Sequence, residues 1–421
     1  MKFFVAAFAF SFSVVLAIAQ DATVPTNNPT SVTIPATIDH NRIVISVSIP
    51  LSDGSSLNTR AWINNGSPDL YLSRRLATQL GLSVKCDDHE CLSPPPSAIR
   101  IGDKTISLPD VKEAKIPLRP VTAAAVLVPG MNVEITLPAT VLRHYDVLIN
   151  FPDHKFSIGN PGSLHFLGTS GKVRINADNG LITLPSQIEK KKFGLALDLG
   201  SGISFLSDAL FGQLNSAHAN WPQMTGAVGS ANITGTNEEK NWRVMRIDRV
   251  QFGPLFLANV SVVDLPQPAL DTLDKRAGVP TAGLIGSNAL MNYRVGLDYA
   301  HSAIYFDFGR NFQFPDFDVV GLILRPEDDG QFTILGVADF NGKPSATDGA
   351  IQVGDHLVAV NDIPMTGSTM GQVWGALGGT PGQQRKLTIE RSGKQFIVTA
   401  TVQHFLAELP DDDKIKRYSP Y

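Results

Sequence analysis

The chain predicts a mainly β protein built on one internal duplication, followed by a smaller unit of different pattern. Three observations carry this reading. The sequence repeats itself once over a long period, its apolar runs are short and rich in strand formers, and 36 glycines and 28 prolines punctuate them. With 43% apolar and 18% charged residues, most of its 421 residues can bury real cores, so disorder is excluded over most of the length. Thirty-five basic against 39 acidic residues leave a net charge of −4, so there is no basic footprint for nucleic acid.

Residues 1–19 read as a signal peptide: Lys2, an apolar run from Phe3 to Ile18 broken by two serines, then Ala17-Ile18-Ala19. An uncleaved anchor is the competing reading, but the run is short and wrongly flanked for a spanning helix. The expectation is an exported protein, secreted or periplasmic, with no membrane span once the signal is removed. Residues 20–37, rich in Thr, Pro and Asn, read as an unstructured lead-in.

A first lobe is expected over 38–163 and a second over 164–312. In the first, Arg42–Ile49 and Arg60–Ile63 read as strands, the latter running into Asn64-Asn65-Gly66-Ser67 and a short helix over 74–80. The segment 64–80 aligns without gaps on 198–214, keeping Gly66/Gly200, Ser67/Ser201, Leu72/Leu206, Ser73/Ser207, Leu76/Leu210, Gln79/Gln213 and Leu80/Leu214. Downstream, Leu137–Ile158 parallels Ile285–Phe306, keeping Leu142/Leu290, Tyr145/Tyr293 and Val147/Val295. Cys86 and Cys91 stand in a compartment where disulfides persist, and a bond closing this short loop is expected. Zinc held with His89 is the alternative, but a second ligand pair is missing.

These blocks resemble the lobes of an aspartic protease of the pepsin or retropepsin type: Leu197-Asp198-Leu199-Gly200-Ser201, then Leu206-Ser207 and a helix, then Gly283-Leu284-Ile285-Gly286. The resemblance implies two β-barrel lobes, with Asp198 as a catalytic carboxylate supported by Gly200 and Ser201 and with Asn64 where the partner aspartate belongs. Leu199 replaces a hydroxyl residue that braces the motif in that family, and Pro138 replaces the glycine matching Gly286. The family's chemistry needs two carboxylates sharing a proton, one to activate water and one to protonate the carbonyl. Asn64 cannot exchange a proton. Activity would then require a second Asp198 from a homodimer or another nearby acid; Asp69 aligns with Ile203, outside the pair. The two functions implied are an aspartic-type peptidase and an inactive homologue that binds polypeptides. The Gly-rich stretch 226–235 reads equally as a flap or as a surface hairpin.

From 317 to 405 the pattern changes. Gly354-Asp355-His356-Leu357-Val358-Ala359-Val360-Asn361 resembles the heart of a PDZ domain, with Gly349-Ala350 inverting the family's usual pair. That resemblance implies a groove in which Gly321, Leu322, Ile323 and Leu324 bind a C-terminal peptide by strand addition, opposite a helix over 368–377. It also implies a small α+β domain; a groove filled by the protein's own tail is the alternative. Residues 406–421 read as a flexible tail. Asn65, Asn232 and Asn259 head glycosylation acceptor patterns, Asn65 being discounted because its motif turn is expected to be buried against the other lobe. No metal, nucleotide or other cofactor motif is present, so none is expected.

Overall fold

The computed structural model describes residues 28–118, 127–309, 317–340, 342–345, 350–407 and 409. The expected signal peptide and most of the tail lie outside the described residues.

Each lobe is built on the same local logic. In the first, the strand Arg42–Pro50 pairs antiparallel with Ser56–Asn64, and Ile43, Ile45, Val47 and Ile49 enter the core. Ser56–Asn64 also runs parallel to Ile135–Pro138, with Asn64 opposite Pro138. In the second, Lys191–Asp198 runs parallel to Gly283–Gly286, with Asp198 opposite Gly286. The alignment that the repeat predicts is therefore reproduced residue for residue in the pairing. Helices follow both motifs for one reason: Ser73 Oγ accepts from the Leu76 amide at 3.0 Å and Ser207 Oγ from the Leu210 amide at 3.3 Å. Each serine satisfies an amide that the first helical turn leaves open.

The lobes are joined by a six-stranded sheet in the order Ser31–Pro35, Lys155–Gly159, Asp146–Asn150, Tyr293–Asp298, Ala303–Phe308, Thr169–Lys172. At its centre Asp146–Asn150 pairs antiparallel with Tyr293–Asp298, Val147 opposite Leu297 and Ile149 opposite Val295. These strands are repeat equivalents, so a pseudo-twofold axis passes between them. Val147, Ile149, Val295, Leu297, Ile304 and Phe306 are all buried in one core spanning both lobes. A mainly β fold in two duplicated half-barrels follows directly from this arrangement.

Two expected boundaries are corrected. Residues 31–35 belong to no unstructured lead-in: Ser31–Pro35 is the outer strand of the shared sheet, paired with Lys155–Gly159. Alternation of Val32 and Ile34 with polar residues gives it one apolar face, a signal masked by the Thr- and Pro-rich composition around it. Nor does the tail begin at 406. Leu406 is buried, its carbonyl accepts from Arg246, and the Leu409 amide bonds Asn259 Oδ1 at 2.8 Å.

The C-terminal unit is an antiparallel sheet in the order Leu322–Pro326, Phe332–Val337, His356–Val360, Gln384–Arg391, Lys394–Thr401, crossed by the helix Met370–Leu377. Thr369 and Gln372 form a reciprocal cap at the start of that helix. Asp355 is buried and held by Arg391, Nε to Oδ1 and Nη2 to Oδ2, both at 2.7 Å. The unit is not an independent appendage. Its Leu322, Leu324, Phe332, Met370 and Leu387 share one apolar core with Ala196, Phe205, Val228 and Val263 of the second lobe.

The outer edge of Leu322–Pro326 is already paired. Asn232 of the second lobe donates Nδ2–H to the Leu324 carbonyl at 2.9 Å and accepts the Leu324 amide on Oδ1 at 3.1 Å. One side-chain amide thus imitates a neighbouring strand for one residue. Glu239 holds it there, accepting from Asn232 Nδ2 at 2.6 Å and from the Thr234 and Gly235 amides. Truncating Asn232 to Ala strips two buried backbone groups of their partner and takes one donor from a buried carboxylate. We expect it to cost about 2–4 kcal/mol, read as a lowered denaturant midpoint. A change below about 0.5 kcal/mol, the level of an ordinary surface substitution, would mean that the amide pairing does not hold the unit in place.

Candidate functional site

The two motif turns face each other across the pseudo-twofold axis. Their backbones match: the Ser67 amide bonds the Asn64 carbonyl at 3.3 Å, and the Ser201 amide the Asp198 carbonyl at 3.2 Å. The Ala139 amide meets the Ser67 carbonyl at 2.9 Å, as the Ser287 amide meets that of Ser201. The approach is close enough to dictate glycine on both sides. A Cβ on Gly66 would fall 2.0 Å from Asp198 Cγ, and one on Gly200 would fall 2.3 Å from Asn64 Oδ1. Asn64 and Asp198 are therefore held together, as the repeat implies.

This contact also answers how Asp198 might find a second carboxylate. The position facing it is filled by the chain's own Asn64–Ser67 turn. Asp69, the nearest acid in sequence, pairs with Lys115 at 3.1 Å and stays out of the pair.

What braces the turns is a residue that the sequence reading passed over. Asn65 is fully buried and reaches across the axis, donating Nδ2–H to the Leu197 carbonyl at 3.0 Å and accepting the Leu199 amide on Oδ1 at 2.7 Å. Leu199, which aligns with it, has no polar group to return the contact, and Ser287 Oγ satisfies the Leu199 carbonyl at 2.8 Å. A single amide, carrying donor and acceptor together, thus makes both cross-lobe bonds from one side. The signal was present in the repeat: a polar residue that can both donate and accept aligned with a purely apolar one.

Asp198 Oδ1 accepts from the Gly200 amide at 2.9 Å and the Ser201 amide at 3.0 Å. Burial nevertheless raises its carboxyl pKa to about 6, the two amides and the Arg276 charge opposing the rise without cancelling it. Ser201 turns its hydroxyl away, donating to the Ile203 carbonyl at 2.7 Å. Above the pair lies a cavity of about 480 Å³, and Asp198 is the one acid among the described residues that line it. Its apolar walls come from Trp62, Tyr71, Leu127 and Val128 on one side and Ile233 on the other.

Both walls touch the C-terminal unit. The first-lobe wall is tied to it where the Met370 amide bonds the Gly130 carbonyl at 2.8 Å. The second-lobe wall is tied through Asn232, which precedes Ile233. The stretch 226–235, expected as a flap or a surface hairpin, is instead an interface: Ala227, Val228, Ala231 and Asn232 are fully buried. Its glycines read as a hairpin in sequence because their packing partners lie almost a hundred residues away.

The four residues expected to bind a peptide in the C-terminal unit are brought together but not left open. Gly321, Leu322, Ile323 and Leu324 are all buried, Leu324 by Asn232. The Gly321 loop lies against Ser345 and Phe405, where an added Cβ would meet their side chains at 2.2 and 2.4 Å. The expected free groove edge is corrected to a covered one. Cys86 and Cys91 form the expected disulfide. All three acceptor-pattern asparagines are committed to hydrogen bonds: Asn65 and Asn232 as above, and Asn259 to the Leu409 amide.

Two outcomes test this geometry. Asn65→Ala leaves the Leu199 amide and Leu197 carbonyl unpaired in the core and should cost about 2–4 kcal/mol, against a smaller loss for Asn65→Thr, which retains a donor and an acceptor. Asp198 binds its proton more tightly folded than unfolded, so its contribution is lost as pH rises through the window from about 4 to about 6. Asp198→Asn, whose oxygen can accept the same two amides, should therefore flatten that slope. It should be more stable than the parent above pH 6 by up to about 3 kcal/mol, less whatever cleft water screens. Parallel stability curves from pH 3 to 8 would refute the raised carboxyl.

No protein-family model matches the chain, and no curated protein does. Among solved structures, the chain is similar to the crystal structure of an aspartic proteinase from Irpex lacteus, at 10% identity and a TM-score of 0.38. That match covers 66% of this chain and 97% of that one.

Proposed function

We propose that the protein is an exported polypeptide-binding protein built on an aspartic-protease-like cleft that has lost the cleavage cycle. One observation carries the reading: an amide, Asn64, stands opposite Asp198 at the equivalent turn, and among the described residues no other acid lines the cavity. Peptide hydrolysis needs one group to take a proton from water and another to give one to the carbonyl. Asp198 can do either but not both in one step. Asn64 can donate a hydrogen bond to a peptide carbonyl or accept one from a peptide amide, which serves binding without chemistry. The cavity, the paired glycines and the Asn65 brace all remain, which supports retention of a ligand. Export is supported by the leader-like residues 1–19 and by the Cys86–Cys91 disulfide.

The PDZ-like reading of 317–405 enters in altered form. Here the unit acts as a clamp across the two cleft walls, and a peptide tail reaches the Leu324 backbone only by displacing Asn232. In the full-length protein, an apolar-ended peptide should bind at that edge measurably better in Asn232→Ala than in the parent. Equal binding in both proteins would reject displacement.

The deciding experiment is digestion of an unfolded protein substrate at pH 3–6 by the purified chain. The parent and Asp198→Asn should be indistinguishable, and Asn64→Asp should gain roughly 10²–10⁴-fold, the usual worth of a general acid–base partner. Cleavage by the parent that Asp198→Asn abolishes would overturn the binding reading in favour of an active aspartic-type peptidase.

A further inference from the structure

The cleft wall contains two buried donors without partners. Arg42 is 1% exposed, yet its Nε–H has no hydrogen-bond acceptor, and the same holds for the buried Nε1–H of Trp62. The two side chains are neighbours, the guanidinium carbon lying 5.9 Å from the Trp62 ring centroid, and both line the cavity above Asn64 and Asp198. A buried donor left unpaired is costly, so two together, in side chains that line one cavity, are better explained by an acceptor that reaches them from it than by packing.

The rest of the wall holds Arg42 in place. His40 donates Nε2–H to the Gly229 carbonyl at 2.8 Å, which leaves Nδ1 as an acceptor facing Arg42 Nη2 at 3.4 Å. Burial and the Arg42 charge lower the His40 pKa to about 3, so the ring is neutral and leaves the positive charge to Arg42. Asp39 and Glu239 lie near enough to favour that charge, but neither forms an ion pair with it: Asp39 Oδ1 accepts from Thr369 and Gly371, and Glu239 is taken up by the 232–235 turn. Arg276 adds a second positive group to the lining.

We infer that Arg42 Nε and Trp62 Nε1 form a carboxylate-binding subsite in the cleft, one that selects a peptide bearing an acidic side chain or a free terminal carboxylate beside the Asn64–Asp198 pair. The inference rests on the peptide-binding reading of the same cleft. A carboxylate offers the acceptors that both donors lack, and charge-assisted hydrogen bonds of this kind are about twice as strong as neutral ones. The apolar lining around them suits the stem of the residue or its neighbours.

The test has a small-probe arm and a peptide arm, both on the full chain. The protein has four tryptophans, so the Trp62 indole N–H resonance is assigned by its absence in Trp62→Phe. Titration with 3-phenylpropanoate should shift that resonance, and the corresponding amide should not. In the second arm, randomised hexapeptide pools carry a fixed Glu or Gln with amidated ends, and a third carries Gln with a free C-terminus. The Glu pool should bind about 10-fold tighter than the amidated Gln pool. Trp62→Phe, which keeps an aromatic ring but loses the donor, should remove most of that preference, and so should Arg42→Lys. A preference carried by the free-terminus pool also supports the subsite and assigns the carboxylate to a chain end. Pools that bind without discrimination would overturn the subsite and leave the peptide-binding cleft standing. A selective probe shift with no pool binding would do the reverse. Equal shifts from acid and amide would refute carboxylate recognition.

Discussion

The cleft depends on one side-chain amide. Asn65 closes both hydrogen bonds between the motif turns, with a donor to Leu197 and an acceptor for Leu199. Because Leu199 contributes nothing polar, a pseudo-symmetric fold is held at its axis by an asymmetric contact. The cross-lobe bonds fix the spacing at which Gly66 meets Asp198 and Gly200 meets Asn64. Every property of the pair above them follows from that spacing. Packing against the opposite turn helps withdraw Asp198 from water and raises its carboxyl.

The C-terminal unit adds a constraint of a different kind. It contacts both walls of the cleft at backbone level, through Met370 on Gly130 and through Asn232 on Leu324. The wall segments around Gly130 and Asn232 are loops, and loops are where local opening is cheapest. Here that freedom is taken up by a shared apolar core and by amide pairing, so the cavity is largely preformed. A preformed site spends less of its interaction energy on ordering itself when a ligand arrives.

Much of this was legible in the sequence, for definite reasons. The lobes were legible because duplication leaves identities wherever backbone geometry is unforgiving: Gly66 and Gly200 at the close approach, Ser73 and Ser207 at the caps. The pairing of Asn64 with Pro138 and Asp198 with Gly286 followed from the same alignment. What escaped were contacts between segments with no repeat relationship. The strand Ser31–Pro35 was hidden by composition, and the burial of 226–235 depends on residues of the C-terminal unit. Arg42 and Trp62 look like ordinary strand residues, because nothing local shows that their polar atoms lack partners. The covered edge at Leu324 was unreadable for the same reason, since its partner is a side chain acting as a strand.

The commitment of Asn65, Asn232 and Asn259 to internal hydrogen bonds has a consequence for biosynthesis. In Asn65 and Asn232 the donating atom is Nδ2, the nitrogen that N-glycosylation modifies. A sugar on Asn65 would wedge the lobes apart at their axis, and one on Asn232 would hold the C-terminal unit off the cleft walls. Both asparagines are fully buried once the chain has folded, so any attachment would have to occur on the nascent polypeptide. Sugar transfer and lobe closure would then compete for the same nitrogen atoms. This architecture can mature only where closure wins, or where no such transferase acts on the chain.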